Sequence, residues 1–291
     1  MMKTLRVRSK LLAGVAALMP AFAWASPPGT FSFSTGSPDG LIGTASRPDT
    51  SGKVEIESAD VFVLSQQTKI TSASFTGLLT GGGQVQALNL EIYRVFPLDS
   101  DATRTIQVPT RTNSPSDAEF VSRASGGTDL SFSTAVLSPS FTAANSVLNG
   151  IHPLPNFHTG GEGAVQGQET RVDVALSNAF DLPAGHYFFV PQVQTDKGDF
   201  YWLSAPKPIS GGTGPFTPDL QSWIRNEALA PDWLRVGTDI VGDSAYNASF
   251  SLAGETVAAV PEPATALYLT GGLALLLGLR RRRASRPNAS R

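Results

Sequence analysis

Between Val85 and Phe96 the residues Leu88, Leu90 and Ile92 are set among Asn89, Glu91 and Tyr93, and this period of two constrains the fold more than any other feature of the chain. It sends alternate side chains to opposite faces, which a strand does and a helix cannot. The pattern recurs. Val54-Glu55-Ile56-Glu57 alternates, Val61-Phe62-Val63-Leu64 is an apolar run, and Thr68 to Leu79 carries Ile70, Ser72, Phe75 and Leu78 among small polar residues. Phe132 to Val136, Val172 to Leu176 and His186 to Val193 read as further strands. Asp196-Lys197-Gly198-Asp199 reads as the turn of a hairpin returning through Phe200-Tyr201-Trp202-Leu203. Leu234 to Val241 and Tyr246 to Leu252 complete the set, while Gly81 to Gly83, Gly160 to Gly167 and Ser210 to Gly214 read as loops. Thr217-Pro218-Asp219 could cap a short helix carrying Leu220, Trp223 and Ile224, although Leu220 to Arg225 reads equally well as a strand. Many short strands separated by Gly, Pro, Ser, Asn and Asp predict an all-β fold, a jelly-roll-like β-sandwich over residues 26–259.

The two ends have a different composition. Lys3, Arg6, Arg8 and Lys10 precede an apolar stretch from Leu11 to Ala23, and Ala23-Trp24-Ala25 is a small-x-small site. Residues 1–25 therefore read as a secretory signal peptide cleaved after Ala25, with export by the Sec machinery. At the other end, Ala264 to Leu279 is apolar or small throughout. As a helix it spans about 24 Å against a hydrocarbon core of ~30 Å, a gap that snorkelling by Arg280 and local thinning of the bilayer can close. Arg280, Arg281, Arg282 and Arg283 follow it and hold that end in the cytoplasm, so the long preceding region lies outside.

Val260-Pro261-Glu262-Pro263, the short membrane segment and the arginine cluster together resemble a PEP-CTERM sorting signal, over residues 260–291. The resemblance implies a Gram-negative bacterium that makes exopolysaccharide and recognition by an exosortase in the inner membrane. It further implies that Pro261, Glu262 and Pro263 are the recognised site, with Arg280 to Arg283 as the membrane stop. The segment Ala284 to Arg291 extends beyond the usual pattern. Two prolines remove backbone donors and keep the chain extended, which leaves the motif open to an enzyme.

Residues 26–259 hold 12 Lys and Arg against 23 Asp and Glu, a net charge of −11 that the near-neutral whole chain conceals. So acidic a surface argues against nucleic acid as a partner and suits cations or uncharged glycans. There is no cysteine, which removes disulfides and thiol chemistry and leaves stability to burial.

No motif identifies a catalytic centre. His152, His158 and His186 lack metal-ligand spacing, and there is no G-x-S-x-G. His158 with Glu162 shares a glycine-rich loop, and solvated side chains are the simpler reading. The acid pairs Asp99 with Asp101, Asp196 with Asp199, and Asp239 with Asp243 are candidates for a structural Ca²⁺, with solvated turn acids as the alternative. Tyr201, Trp202 and Trp233 are candidates for a glycan-stacking platform, wherever the face that carries them is uncovered. Core packing is the competing use of such aromatics. The expectation is a non-catalytic surface or matrix protein associated with exopolysaccharide or biofilm. A glycan- or Ca²⁺-binding adhesion module and a secreted hydrolase stand as alternatives.

Overall fold

The alternating segments pair into two sheets. The computed structural model describes residues 29–50, 52–152, 157–206, 221–242 and 245–257. Within them the strands are β1 (Thr30–Ser34), β2 (Ile42–Ala45), β3 (Ile56–Leu64), β4 (Thr68–Leu79), β5 (Val85–Arg94), β6 (Val121–Ala124), β7 (Leu130–Ala143), β8 (Asn145–Val147), β9 (Val165–Leu182), β10 (Gly185–Thr195), β11 (Phe200–Ala205), β12 (Trp223–Asn226), β13 (Leu234–Arg235), β14 (Asn247–Ala248) and β15 (Phe250–Thr256). One sheet runs β7-β9-β4 and continues from β4 along two branches, through β15 to β1 and through β11 to β2 and β8. The other runs β13-β12-β3-β10-β5-β6. The fold class is all-β, as the periodicity predicts. The signal peptide with Ala23 and Ala25, the 217–219 cap, Asp243 and the whole of residues 260–291 lie outside the described residues. Among the described residues no helix is long and apolar enough to cross a membrane.

One apolar cluster takes side chains from both sheets. Phe62, Leu88, Leu90, Ile92 and Phe189 come from the six-stranded sheet, and Phe75, Val172, Trp202 and Phe250 from the nine-stranded one. The Phe189 ring stacks on Phe250 at 5.4 Å and meets Trp202 edge-on at 6.0 Å and Phe75 at 6.2 Å. These are the separations at which aromatic rings attract beyond simple area burial.

The hairpin expected at residues 196–199 does not form. β10 pairs with β3 and β5, whereas β11 pairs with β4, β2 and β14, so the turn carries the chain from one sheet to the other. Both strands are buried on both faces. Alternation within each therefore could not reveal which neighbours it has. The corner is fixed by Asp199, whose amide donates to Thr80 Oγ1 at 2.8 Å and whose carboxylate accepts from Arg47 at 2.8 Å and Lys53 at 3.0 Å. Gly198 has φ +63°, and a Cβ there would meet the Thr80 carbonyl oxygen at 2.0 Å, so glycine is required.

Other readings change. Val54 to Glu57 and Val61 to Leu64 do not form two strands but contribute to one, β3, and residues 165–167 of the expected loop belong to β9. Leu234 to Val241 is a strand only at β13. Val236–Val241 forms a π-helical turn because Asp239 accepts from the Arg235 backbone N–H at 2.8 Å and from its guanidinium at 2.7 Å and 3.0 Å. Residues 223–226, left open as helix or strand, are strand β12. The link expected from Ala253 is still strand as far as Thr256. Strands β1, β2, β6 and β8 had no reading in the sequence, being only three to five residues long.

Phe189→Ala should remove the ring that touches both layers and lower unfolding free energy by about 3–5 kcal/mol, read by urea unfolding. A loss below about 1 kcal/mol would mean the inter-sheet contact is not what holds the layers together.

Candidate functional site

The aromatic platform does not form. Tyr201, Trp202 and Trp233 are respectively 7%, 1% and 1% exposed. Trp202 lies between the sheets and donates its indole N–H to Ser249 O at 2.9 Å. Tyr201 points to the opposite face, but there Leu78, Ala143 and Leu203 cover it. Trp233 packs edge-on against Tyr93 at 5.3 Å and donates to Ser116 O at 3.1 Å. Each indole N–H thus has a partner inside the protein, as burial requires.

The carboxylate pairs are also engaged by protein donors. Asp99 holds Arg94 in an ion pair, Asp101 accepts from the Thr103 amide at 2.8 Å and its hydroxyl at 2.7 Å, and Asp196 accepts from Gln84 N at 2.6 Å. Asp199 and Asp239 hold the basic partners already described. Glu162 takes three backbone N–H groups, from Leu148, Asn149 and Gly150, each at 2.8 Å, while His158 Nδ1 lies 3.1 Å from Asp239 O. The loop pair of His158 and Glu162 is therefore split between two structural tasks. Among the described residues no group of three or more His, Asp or Glu is placed to hold a metal ion.

Two polar constellations remain. The first lies on the outer face of the six-stranded sheet. Glu57 on β3, Tyr93 and Glu91 on β5, Gln192 on β10 and Arg225 on β12 form a chain of hydrogen bonds, which Asn89 and Glu55 extend. Arg225 pairs with Glu57 through Nε and donates from Nη2 to Tyr93 Oη at 2.8 Å. Tyr93 Oη lies 2.7 Å from Glu57 and 3.0 Å from Glu91. Asn89 donates to Glu91 at 2.6 Å and to Gln192 at 2.9 Å, and Gln192 donates to Glu55 at 2.7 Å. Adjacent strand positions bring these groups together: Arg225 faces Glu57, and Asn89 faces Gln192.

Burial decides the protonation of this chain. Desolvation, then the nearby Glu57 carboxylate, pushes Glu91 up to about 8, so its carboxyl is neutral at pH 7 and can donate. Burial raises Glu55 as well. Burial alone would lower Arg225, but the Glu57 charge outweighs it and the guanidinium is held charged. Its plane also lies 4.3 Å over the Trp233 ring. A neutral and a charged carboxyl side by side can hold and pass a proton. Here both are covered: Glu57 is 3% and Glu91 8% exposed.

The cover is the segment between β5 and β6. Asp117 in that segment accepts from Arg104 at 3.0 Å and from Arg111, and Arg104 also pairs with Asp232. Arg225 Nη1 donates to Asp117 O at 3.1 Å, and Arg111 lies 4.1 Å over the Phe96 ring. This network ties the segment to Arg225 and, through Ser116 O, to Trp233, beside an apolar cluster of Ala59, Val61, Val95, Phe188, Val190, Trp223 and Trp233. The face that carries Asn89, Glu91 and Tyr93, polar by its alternation, is consequently interior at Glu91 and Tyr93 and half-buried at Asn89.

The second constellation is open. On the outer face of the nine-stranded sheet, Ser34, Ser251, Ser74, Asp173 and Ser133 form one row across β1, β15, β4, β9 and β7, and Ser32, Ala253, Ser72, Ala175 and Ser131 form the next. Small side chains leave a trough of ≈ 470 Å³ above these rows. Ser74 and Ser251 hydroxyls are 2.8 Å apart, and Asp173 pairs with Arg171 at 3.0 Å. A second trough, ≈ 410 Å³, lies among Gly81, Gly82, Gln84, Ser140, Gln166 and Gln168. The first offers serine hydroxyls and the Asp173 carboxylate, the second the Ser140 hydroxyl and the amides of Gln84, Gln166 and Gln168. No protein-family model, no curated protein and no solved structure matches this chain.

The sequence signal for the rows is a pair of serines two residues apart on each strand, Ser72 and Ser74 on β4, Ser131 and Ser133 on β7, and Ser32 and Ser34 on β1; the first two segments read simply as strands and the third had no reading. For the buried chain there was no local signal, because Glu57, Glu91 and Arg225 acquire partners only through sheet order.

Glu91 keeps its proton in the folded protein up to about pH 8, whereas the unfolded chain releases it near the ordinary value of 4.5. Between those values the folded state binds one proton more, so this contribution to stability is full below about 4.5 and is lost as pH rises to about 8. Glu91→Gln, neutral throughout, should show a shallower fall of melting temperature across that window than wild type. Parallel curves would show that Glu91 is not protonated in the fold. Arg225→Ala, which leaves Glu57 buried without its cation, should cost about 3–5 kcal/mol in chemical denaturation.

Proposed function

We propose that the chain is an exported, non-catalytic cell-surface or extracellular-matrix protein of a Gram-negative bacterium. In this reading it leaves the cytoplasm through Sec, passes transiently through the inner membrane and is sorted by an exosortase. The observation that carries it is the order Pro261-Glu262-Pro263, apolar segment, Arg280 to Arg283, combined with a basic, then apolar start of opposite charge placement. The acidic, cysteine-free region between them suits an extracellular life.

The folded region is best read as a jelly-roll β-sandwich. Supporting this are the neighbour order β1-β15-β4-β9 in one layer and β3-β10-β5-β6 in the other, and the apolar clusters to which both layers contribute. The chain passes from layer to layer after β2, β3, β4, β6, β9, β10, β11 and β13.

A glycan-binding role for this region draws on the serine-rich trough and not on aromatic stacking. Exopolysaccharide presents hydroxyls at every ring, and a floor of short hydroxyls with one carboxylate, Asp173, supplies donors and acceptors without bulk. Asp173 lies beside Ser74 and Ser133 on adjacent strands.

Intact mass of the native protein from the surface and medium of its host should end near residues 261–263, with or without added sugar. A mass that retains Arg280 to Arg283 would reject exosortase processing and place the working protein at the inner membrane. For the trough, Ser74→Trp or Ser133→Trp should reduce retention on the host's purified exopolysaccharide several-fold with the fold intact by circular dichroism. Unchanged retention would remove the trough from the contact.

A further inference from the structure

The edges of the two sheets are not equally protected. β8 has three residues and β13 two, β6 has four and carries Arg123, and β1 has five. β7 is different. It runs for 14 residues as LSFSTAVLSPSFTA without one charged side chain. It pairs with β9 along one side, and among the described residues no strand pairs with the other. Natural edge strands of this length are normally blocked by charges, proline, bulges or a covering segment. In β7 the blocking features, Pro139 and the register shifts on either side of Ser138, are confined to the second half. Leu130 to Val136 pairs with β9 residue by residue without a shift and carries neither charge nor proline.

The apolar residues of this half are only partly covered. Leu130 is in the inter-sheet core, Phe132 is half-buried against it, and Val136, two strand repeats further along the same face, is 56% exposed. The apolar stripe thus runs out of its own core into solvent before the strand ends.

We infer that β7 is the edge through which two copies of this chain associate, pairing antiparallel about a two-fold axis at Thr134. In that register Phe132 stands opposite the partner's Val136 and the reverse, giving two aromatic to β-branched cross-strand pairs on the stripe that one copy leaves exposed. A second copy fits this edge because identical strands without charge meet with no like-charge apposition. Elsewhere the net charge of −11 on residues 26–259 opposes self-association. The contact is isologous, so it closes as a pair and does not propagate, and main-chain hydrogen bonds extend the nine-stranded sheet across both copies. On the opposite face Ser133 comes beside the partner's Ala135. This brings the two serine-lined troughs side by side as one surface, although the pairing itself does not depend on what the troughs bind.

Because the chain has no cysteine, a single introduced thiol reports contact unambiguously. The full chain in mild detergent, carrying Thr134→Cys, should form a covalent dimer under mild oxidation, whereas Ser122→Cys on β6 should not. Thr134→Lys places two cations on the axis and should raise the dimer dissociation constant about tenfold or more in sedimentation velocity, with an unchanged circular dichroism spectrum. A wild-type chain that sediments as a monomer, a Ser122→Cys dimer in place of a Thr134→Cys dimer, or a dimer indifferent to Thr134→Lys overturns the inference. If Thr134→Lys fails to fold, the two cysteine variants still decide.

Discussion

With no cysteine to tie its layers, this protein depends on the aromatic contact between its two sheets. Phe189 from the six-stranded sheet touches Phe75, Trp202 and Phe250 from the nine-stranded one. Such rings bury large apolar areas and fix the relative rotation of the layers through their edge and face preferences. The corner at residues 196–199 follows from the same requirement. A hairpin there would put β10 and β11 in one sheet, and Phe189 and Trp202 would become neighbours in a layer and not partners across the core.

The second requirement is that the outer face of the six-stranded sheet be covered. Its residues Val61, Phe188, Val190 and Trp223 form an apolar surface too large to leave in water. Trp233 and the segment after β5 close over it, at the cost of burying Glu57, Glu91, Tyr93 and Arg225. That cost is kept tolerable by full hydrogen bonding, by a charged pair, and by keeping one carboxyl neutral, the arrangement a buried polar network must reach to be stable. The same device leaves the opposite side of the molecule free. There the outer rows of β1, β15, β4, β9 and β7 are small and polar, need no cover, and supply the exposed trough on which the glycan reading rests.

Strand positions were largely legible because they follow from local alternation: β4 was read at its actual bounds, β5 over its full length and two residues beyond, β9 and β10 in their middle, and β7 and β11 in their first part. The short strands β2, β6 and β8 were not legible, since three or four residues do not establish a period. Partner choice was not legible either. For β10 and β11, buried on both faces, no side of the pattern was polar enough to indicate a neighbour. The candidate site was misread for a related reason. Trp202 and Trp233 were weighed as surface platforms, yet whether an alternate face is solvated depends on what lies over it, and residue 117 lies over a face set by residues 57, 91 and 225.

What the sequence determined alone was the all-β class, the acidic and disulfide-free character of residues 26–259, and the export and sorting expectation carried by its two ends. All of these are properties of composition or of contiguous residues. What tertiary structure decided was sheet membership, the burial of every candidate aromatic, and the neutral state of Glu91. It also decided which polar faces meet water and which long edge has no strand beside it among the described residues. These depend on residues far apart in the chain coming within a few ångström, where desolvation and hydrogen bonding, absent from any local pattern, set the outcome.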